Sequence, residues 1–176
     1  MRNYPSIGTH LWIKDCSTVS EATIDRNLHR DGIFPFDPVD GFENLLELRE
    51  EMGKEGAFVR GGQALLEEQK VLVKSLSSVT WRFGRYYSYS GLVVAFTTGY
   101  LTETNVFRVV ELFVSPPFRR LGIGDELLTE MLALSRSLGA LTLETVVLPG
   151  SAASKSLMES HGLKARAIVM SRESLL

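Results

Sequence analysis

Apolar segments separated by short polar connections predict three consecutive strands in the middle of the chain. Residues 79–89 are rich in aromatic and β-branched side chains, Ser90-Gly91 separates them from residues 92–101, and a short polar stretch precedes residues 106–114. Short polar connections between such segments favour an antiparallel meander. The third segment, VFRVVELFV, is apolar on both faces, which is typical of a central strand that is covered on both sides.

Helical spacing begins a few residues after this third strand. A row of apolar residues predicts a helix that ends at Gly139: Leu127, Leu128, Met131, Leu134 and Leu138. Beyond it we predict a strand at 140–148, a short helix at 151–161 that ends at Gly162, and a last strand at 165–171. The second half therefore has the order β-β-β-α-β-α-β.

The first 78 residues give a weaker pattern. We predict a short strand at 10–14 and helices at 17–29, 42–52 and 63–76. The Pro- and Gly-rich segment 31–41 predicts a loop, and the four glycines of 53–62 predict a break between two helices. The fold class that follows is a single α/β (α+β) domain over residues 1–176, with a mixed, mostly antiparallel sheet flanked by helices.

Composition excludes several classes of protein. The 176 residues are 44% hydrophobic and 23% charged, as in ordinary globular chains, and 19 basic against 21 acidic residues give a net charge of −2, which disfavours nucleic acid as a partner. The one cysteine, Cys16, forms no intrachain disulfide, and the three scattered histidines give no metal-site spacing. We expect no signal peptide, no membrane span, no metal and a cytoplasmic location.

The sequence Arg119-Arg120-Leu121-Gly122-Ile123-Gly124 lies between a predicted strand and a predicted helix. The first N–H groups of a helix lack intrahelical partners and carry partial positive charge, so glycines beside them let an anion approach the backbone. Such a turn fits a pyrophosphate. It lacks the Lys-Ser/Thr pair of a P-loop, and Leu127 replaces the third glycine of the dinucleotide fingerprint. The alternative is a plain strand-to-helix turn with solvated arginines.

The segment ELFVSPPFRRLGIGDELL resembles the GNAT superfamily of acyl-CoA-dependent N-acyltransferases. The resemblance implies the acyl-CoA N-acyltransferase fold and transfer of an acetyl group from acetyl-CoA to a primary amine of a small molecule or protein. It implies that residues 79–176 form the acyl-CoA-binding core and that 1–78 supply the acceptor side, and it leaves a homodimer open. By this resemblance, the backbone of Phe113 and Val114 would pair with the pantetheine arm, which would lie in a cleft between 106–114 and 140–148. The pyrophosphate would be held by the backbone amides of the turn: Arg119, Arg120, Leu121, Gly122, Ile123 and Gly124.

A second family segment, N-x-x-A-x-x-L-Y-x-x-x-G-F, is similar to this chain in spacing but not in residues. Ser151, Ser154 and Met158 stand at its Asn, Ala and Tyr places, on one helix face that the resemblance places beside the CoA arm. The alternative is a helix of small residues packed on the sheet. In many relatives that tyrosine protonates the leaving thiolate, which a thioether cannot do. The candidate proton donors in its place are Tyr86, Tyr87, Tyr89 and His161. For His161 the alternative is that it caps the end of the helix.

The acceptor amine must lose a proton before it attacks the thioester, and Glu111 is the best candidate base. It is the one carboxylate within the apolar run 109–114, and burial makes a carboxylate more basic. The alternative is a structural glutamate paired with an arginine, and Glu144 is the second choice as base. The second function that fits the sequence is a catalytically degenerate acyl-CoA-binding or protein-interaction module. A nucleotide-binding regulator is disfavoured because no magnesium-binding Asp/Ser set accompanies the glycines.

Overall fold

The computed structural model describes residues 30–39, 42–59, 62–79, 81–148 and 150–167. These residues form five strands and four α-helices, with short 3-10 helices at Leu76–Ser78 and Pro116–Phe118. In chain order the elements are β1 (Gly32–Phe36), α1 (Glu43–Ala57), α2 (Gly62–Ser75), β2 (Arg82–Tyr89), β3 (Leu92–Leu101), β4 (Val106–Val114), α3 (Ile123–Ser137), β5 (Thr142–Thr145) and α4 (Ala152–Ser160).

The five strands form one sheet in the order β1-β2-β3-β4-β5. Strands β1 to β4 are antiparallel neighbours, as the predicted meander requires, and β5 pairs with β4 in parallel. The predicted mixed, mostly antiparallel sheet is confirmed. The parallel pairing stops at Val109 and Thr145, so β5 accompanies only the first half of β4.

Helices cover both faces of the sheet. On one face α1 buries Leu45 and Leu48 against an aromatic cluster that includes Phe36, Tyr86 and Phe113. On the other face α3 buries three of its apolar residues against β2, β3 and β4: Ile123, Leu127 and Met131. Removing this apolar area from water is the main stabilisation of both layers. The strand β4 is therefore covered on both sides, as its double apolar pattern predicts.

An extra residue in β4 changes which face its side chains point to. Thr98 is opposite Glu111 and Gly99 is opposite Val109, so Val110 has no partner on β3 and forms a β-bulge. Successive strand residues alternate between faces, and one extra residue reverses that alternation. Val109 consequently packs in the α3 layer, whereas Phe113, an even number of residues later, packs in the α1 layer.

Two predictions for the first half are wrong. The segment 31–41 is not all loop, because Gly32–Phe36 pairs with β2, and its Pro35 is tolerated since β1 is an edge strand of the described sheet. The glycines do not end α1 at Met52. The helix continues to Ala57. A Cβ added at Gly56 would lie 3.4 Å from the Leu66 side chain of α2. Close helix packing thus offsets the poor helix propensity of glycine.

The remaining predicted elements differ mainly in their ends. The strand predicted at 140–148 is only Thr142–Thr145, and 79–89 begins as a strand at Arg82. Residues 165–167 of the predicted last strand are not in a strand, and its remainder lies outside the described residues, as do the segments predicted at 10–14 and 17–29. No helix among the described residues is long and apolar enough to cross a membrane.

Candidate active site

The free edge of β4 is the first component of the site. Beyond Val109 the strand has β3 on one side and no strand among the described residues on the other. Phe113 and Val114, whose backbone would pair with the pantetheine arm according to the family resemblance, lie on this edge. Two carbonyls of the same stretch are already used by side chains: Gln69 Nε2 donates to the Val110 oxygen at 2.9 Å, and Arg119 Nε donates to the Val114 oxygen at 2.9 Å.

The turn between β4 and α3 leads directly from this edge to a helix N-terminus. Gly122 is the N-cap of α3 and has φ +83°, a left-handed conformation that glycine adopts without strain. The first N–H groups of any helix lack an intrahelical acceptor, and here no side chain caps them either. A Cβ at Gly122 would meet no atom within 4 Å, which shows open space beside those amides. The turn therefore has the free donors and the room that the predicted anion site needs.

Gly124 has a packing role in addition to the one that its motif predicts. A Cβ at this position would lie 3.3 Å from Leu157 Cδ2 of α4 and 3.8 Å from Val114 Cγ2. The glycine thus lets the first turn of α3 pack closely on α4 and on the end of β4. Its lack of a side chain serves helix packing as well as the backbone at the turn.

Arg119 is engaged within the protein. Its guanidinium forms a bidentate ion pair with Glu55 of α1 and lies 5.6 Å from the centre of the Phe113 ring. With its hydrogen bond to the Val114 carbonyl, this residue fastens the turn to α1 and to β4. Its charge is balanced by Glu55, whereas the neighbouring Arg120, with φ +65°, is exposed.

The helix α4 presents the second set of predicted residues on one face. Ser151 donates to Ser154 at 2.7 Å, and Met158 is buried. His161 ends the helix: its Nδ1 lies 3.0 Å from the Leu157 oxygen, and its Nε2 lies 3.2 Å from Thr129 Oγ1 of α3. These are the contacts of the helix-capping alternative for His161.

The bulge of β4 places Glu111 in a buried polar cluster beneath α1. Arg49 donates from Nε to Glu111 Oε1 at 3.0 Å and from a terminal nitrogen to Oε2 at 2.8 Å, and Thr98 Oγ1 donates to Oε2 at 2.8 Å. Only 3% of the Glu111 side chain and 18% of the Arg49 side chain are exposed. Arg49 also donates to the Pro38 carbonyl. The structural alternative predicted for Glu111 matches these contacts, with the pair buried between sheet and helix.

Arg49 is the residue that sequence reasoning missed. The apolar stripe of α1 runs through Leu45 and Met52, and Arg49 stands between them at helical spacing. A long cation inside an apolar stripe is rarely buried unless it is paired. That position, set against the lone carboxylate in the apolar run of β4, is the signal from which the pair could have been predicted.

A cleft of about 450 Å³ opens over this cluster, between α1 and α2. Glu111 lies at its floor, where Gln69 of α2 reaches the Val110 carbonyl. The lining residues are Arg49, Glu50, Met52, Gly53, Gln63, Leu66, Gln69, Lys70, Val73, Lys74 and Glu111. This cleft meets β4 from the α1 side of the sheet, opposite the layer that contains α3.

The tyrosines considered as proton donors lie away from this cleft. Tyr86 is fully buried in the aromatic cluster, and the Tyr89 ring packs 5.9 Å from that of Phe118. Burial, together with the charge and hydrogen bond of Glu126, raises the pKa of Tyr87. The second candidate base, Glu144, lies 3.5 Å from Arg108 at the sheet surface. No three His, Cys, Asp or Glu side chains in the described part of the chain are grouped as metal ligands.

Solved structures with the same fold include several acetyltransferases. A putative acetyl transferase from Pyrococcus furiosus superposes with a TM-score of 0.62 at 21% identity, covering 82% of this chain and 100% of that one. The aminoglycoside N-acetyltransferase AAC(6')-Iy, solved in complex with CoA, superposes with a TM-score of 0.58 at 14% identity, covering 82% of this chain and 100% of that one. An aminoglycoside acetyltransferase, meta-AAC0020, from an uncultured soil metagenomic sample, in complex with sisomicin, gives 0.60 at 16% identity over 82% and 95%.

At these identities the likeness establishes the fold alone. No curated protein matches this chain significantly in sequence. The sequence profile of the acetyltransferase (GNAT) family matches residues 56–163, which is more than half of the chain and spans the open edge of β4, the turn before α3 and the helix α4. The chain therefore belongs to the acetyltransferase (GNAT) family.

Proposed function

We propose that this protein transfers an acetyl group from acetyl-CoA to a primary amine of a small molecule or protein. One observation carries the proposal: the free edge of β4 leads within a few residues to the uncapped N-terminus of α3. Family membership and the CoA complex of a structural neighbour support it. The cleft on the opposite side of β4 provides a separate approach for the acceptor.

The residues of the turn fit the anionic part of acetyl-CoA. A pyrophosphate is held well by free helix N-terminal amides, and the amides of 121–124 have the open space at Gly122 beside them. Arg120 adds an exposed positive charge, while Arg119 keeps the turn attached to α1. Bound acetyl-CoA would supply the acetyl thioester, the electrophile that an amine needs. The buried Met158 would contribute apolar contact and no proton, so the departing thiolate takes its proton from water.

We infer that Glu111 acts by position and not as the base that deprotonates the amine. A carboxylate that acts as the base must present an oxygen that is free to accept the amine proton. Both oxygens of Glu111 already accept hydrogen bonds from Arg49, and Oε2 accepts a second one from Thr98. An alkyl ammonium has a reference pKa of about 10.4, so only a small fraction of the amine is neutral at pH 7. This fraction, which has already lost its proton to solvent, would be the form that attacks the thioester.

The experiment that tests the proposal compares two leucine substitutions. Leu121 lies in the turn and Leu141 lies before β5, and both are exposed, at 56% and 79%. A glutamate at position 121 would repel a bound pyrophosphate by roughly 1–3 kcal/mol, which is about a 5- to 150-fold loss of affinity. We expect calorimetry to show this loss of CoA affinity for Leu121→Glu and no change for Leu141→Glu. Equal affinities for the two variants would remove the phosphate site from the turn.

The second candidate is the non-catalytic CoA-binding module, which the methionine at the family's tyrosine place favours. The two functions differ in thiol release. When the protein is mixed with acetyl-CoA and a panel of primary amines, transfer of the acetyl group would release free thiol at a rate that depends on the amine, above the rate of acetyl-CoA hydrolysis without an amine. Tight CoA binding without thiol release for any amine would establish the second candidate.

A further inference from the structure

The cleft between α1 and α2 contains features that distinguish between classes of amine. Its apolar wall is formed by Met52 of α1 with Leu66 and Val73 of α2, and its floor by Glu111. At about 450 Å³ it has room for a small ligand rather than for an extended polymer. Under the proposed function, the reacting amine would reach β4 through this space.

The carboxylates that line the cleft are already paired with cations. Glu111 is bound by Arg49 at 2.8 Å, and Glu50 is bound by Lys54 at 2.8 Å. Neither is left as an unopposed negative charge for an additional ammonium group of a ligand. A polycationic acceptor would therefore enter without a carboxylate to bind its second charge.

The positive charges on the α2 wall are not balanced in the same way. Lys70 lies 2.9 Å from Glu67 on its own helix. Lys74 lines the cleft one turn further along, and it forms no ion pair with any residue that the structure describes. Counting the lining residues, Arg49, Lys70 and Lys74 oppose two carboxylates, so the cleft carries a surplus of one cation at its Lys74 end.

Building on the proposed function, we infer that the acceptor is a primary amine joined by an apolar spacer to a carboxylate, and that Lys74 binds this carboxylate. Gln69, whose amide contacts the edge of β4 at Val110, precedes Lys74 by five residues on α2. Five residues of helix span about 7.5 Å. The spacer would lie along the apolar wall between these two points, with the amine at β4.

Gly53 determines how much of the cleft is open. It lies on the α1 wall, and a Cβ at this position would meet no atom within 4 Å. A large side chain there would extend into the cleft without displacing a core residue. Gly53→Phe is therefore expected to block acceptor binding, while Gly53→Ala is the matched substitution that leaves the cleft open.

Three amines of equal length test the charge preference: 6-aminohexanoate, hexylamine and 1,6-diaminohexane. Each is assayed for thiol release from acetyl-CoA and by calorimetry against the protein saturated with CoA. We expect 6-aminohexanoate to exceed hexylamine in kcat/KM and in affinity by roughly two- to fivefold, the size of one partly exposed charge contact, and the diamine to be the poorest. The Gly53→Phe variant should show no heat of binding for any of the three amines and an unchanged heat of binding for CoA.

Reversing the charge at position 74 provides the control. Lys74→Glu should exchange the order of 6-aminohexanoate and the diamine, whereas Arg136→Glu, an equal charge change at the exposed end of α3, should leave the order as it is. A diamine preference in the unsubstituted protein, or an order that Lys74→Glu does not change, would overturn the inference while thiol release still upholds the acetyltransferase. Absence of CoA binding and of thiol release would overturn both.

Discussion

Replacing Arg49 with methionine removes the cation that balances Glu111 and keeps most of the side-chain volume. The carboxylate would then be left 3% exposed, with one hydrogen bond, from Thr98, in place of three. Removing one partner of a buried ion pair costs about 3–5 kcal/mol, mainly because the remaining charge stays out of water. Since Arg49 is 18% exposed, we expect the lower end, about 3 kcal/mol.

Urea unfolding followed by circular dichroism measures this loss as a lower midpoint at unchanged slope. The double variant Arg49→Met/Glu111→Gln removes the orphaned charge and still offers Thr98 an acceptor. It should recover about 2 kcal/mol of what the single variant loses, so that the two effects are strongly non-additive. A single variant that loses less than about 1 kcal/mol, or a double variant that is additive, would refute the buried-charge reasoning.

Three further predictions follow from other parts of the molecule. Burial would raise the pKa of Asp37, but hydrogen bonds from Arg82 and the Val39 amide, with the Arg82 charge, hold it below its usual value. Its stabilising effect is therefore complete above the unfolded pKa of about 3.9 and is lost as pH falls through the folded value, so in thermal unfolding Asp37→Asn should cost stability at pH 6 and progressively less as the pH falls below about 3.9. Gly99→Ala places a Cβ 2.7 Å from the Arg108 oxygen and should cost about 1–3 kcal/mol in urea unfolding. If solvent deprotonates the amine, kcat/KM for 6-aminohexanoate should rise about tenfold per pH unit up to about pH 10, and a plateau near pH 7 would instead indicate a protein base.

Much of the second half could be predicted from sequence because its patterns are local. The strands at Leu92–Leu101 and Val106–Val114 and the helix before Gly139 follow from side-chain periodicity and from glycine. The first half was harder. The edge strand Gly32–Phe36 contains a proline and acquires its structure from pairing with β2, which no local pattern reveals.

In the candidate site, too, local features could be predicted from sequence and long-range contacts could not. The turn before α3 was predictable because its glycines and its position after a strand are visible in the sequence. The partners of Glu111 and Arg119 were not, since Arg49 and Glu55 lie about 60 residues earlier and meet them only when α1 packs across β4. Long-range ion pairs of this kind depend on the tertiary arrangement and leave at most an out-of-place charge in a local pattern.

The unpaired Val110 has a consequence for how this strand tolerates change in length. Its two halves are out of phase because of this one extra residue, so deleting Val110 would restore a regular ladder in which Val109 still faces α3 and Glu111 still lies opposite Thr98. Arg49 would keep its counter-ion, while Gln69 would lose the carbonyl that it contacts. The strand can therefore lose one residue here without reversing either half, whereas loss of a second residue would turn one half of it to the opposite layer.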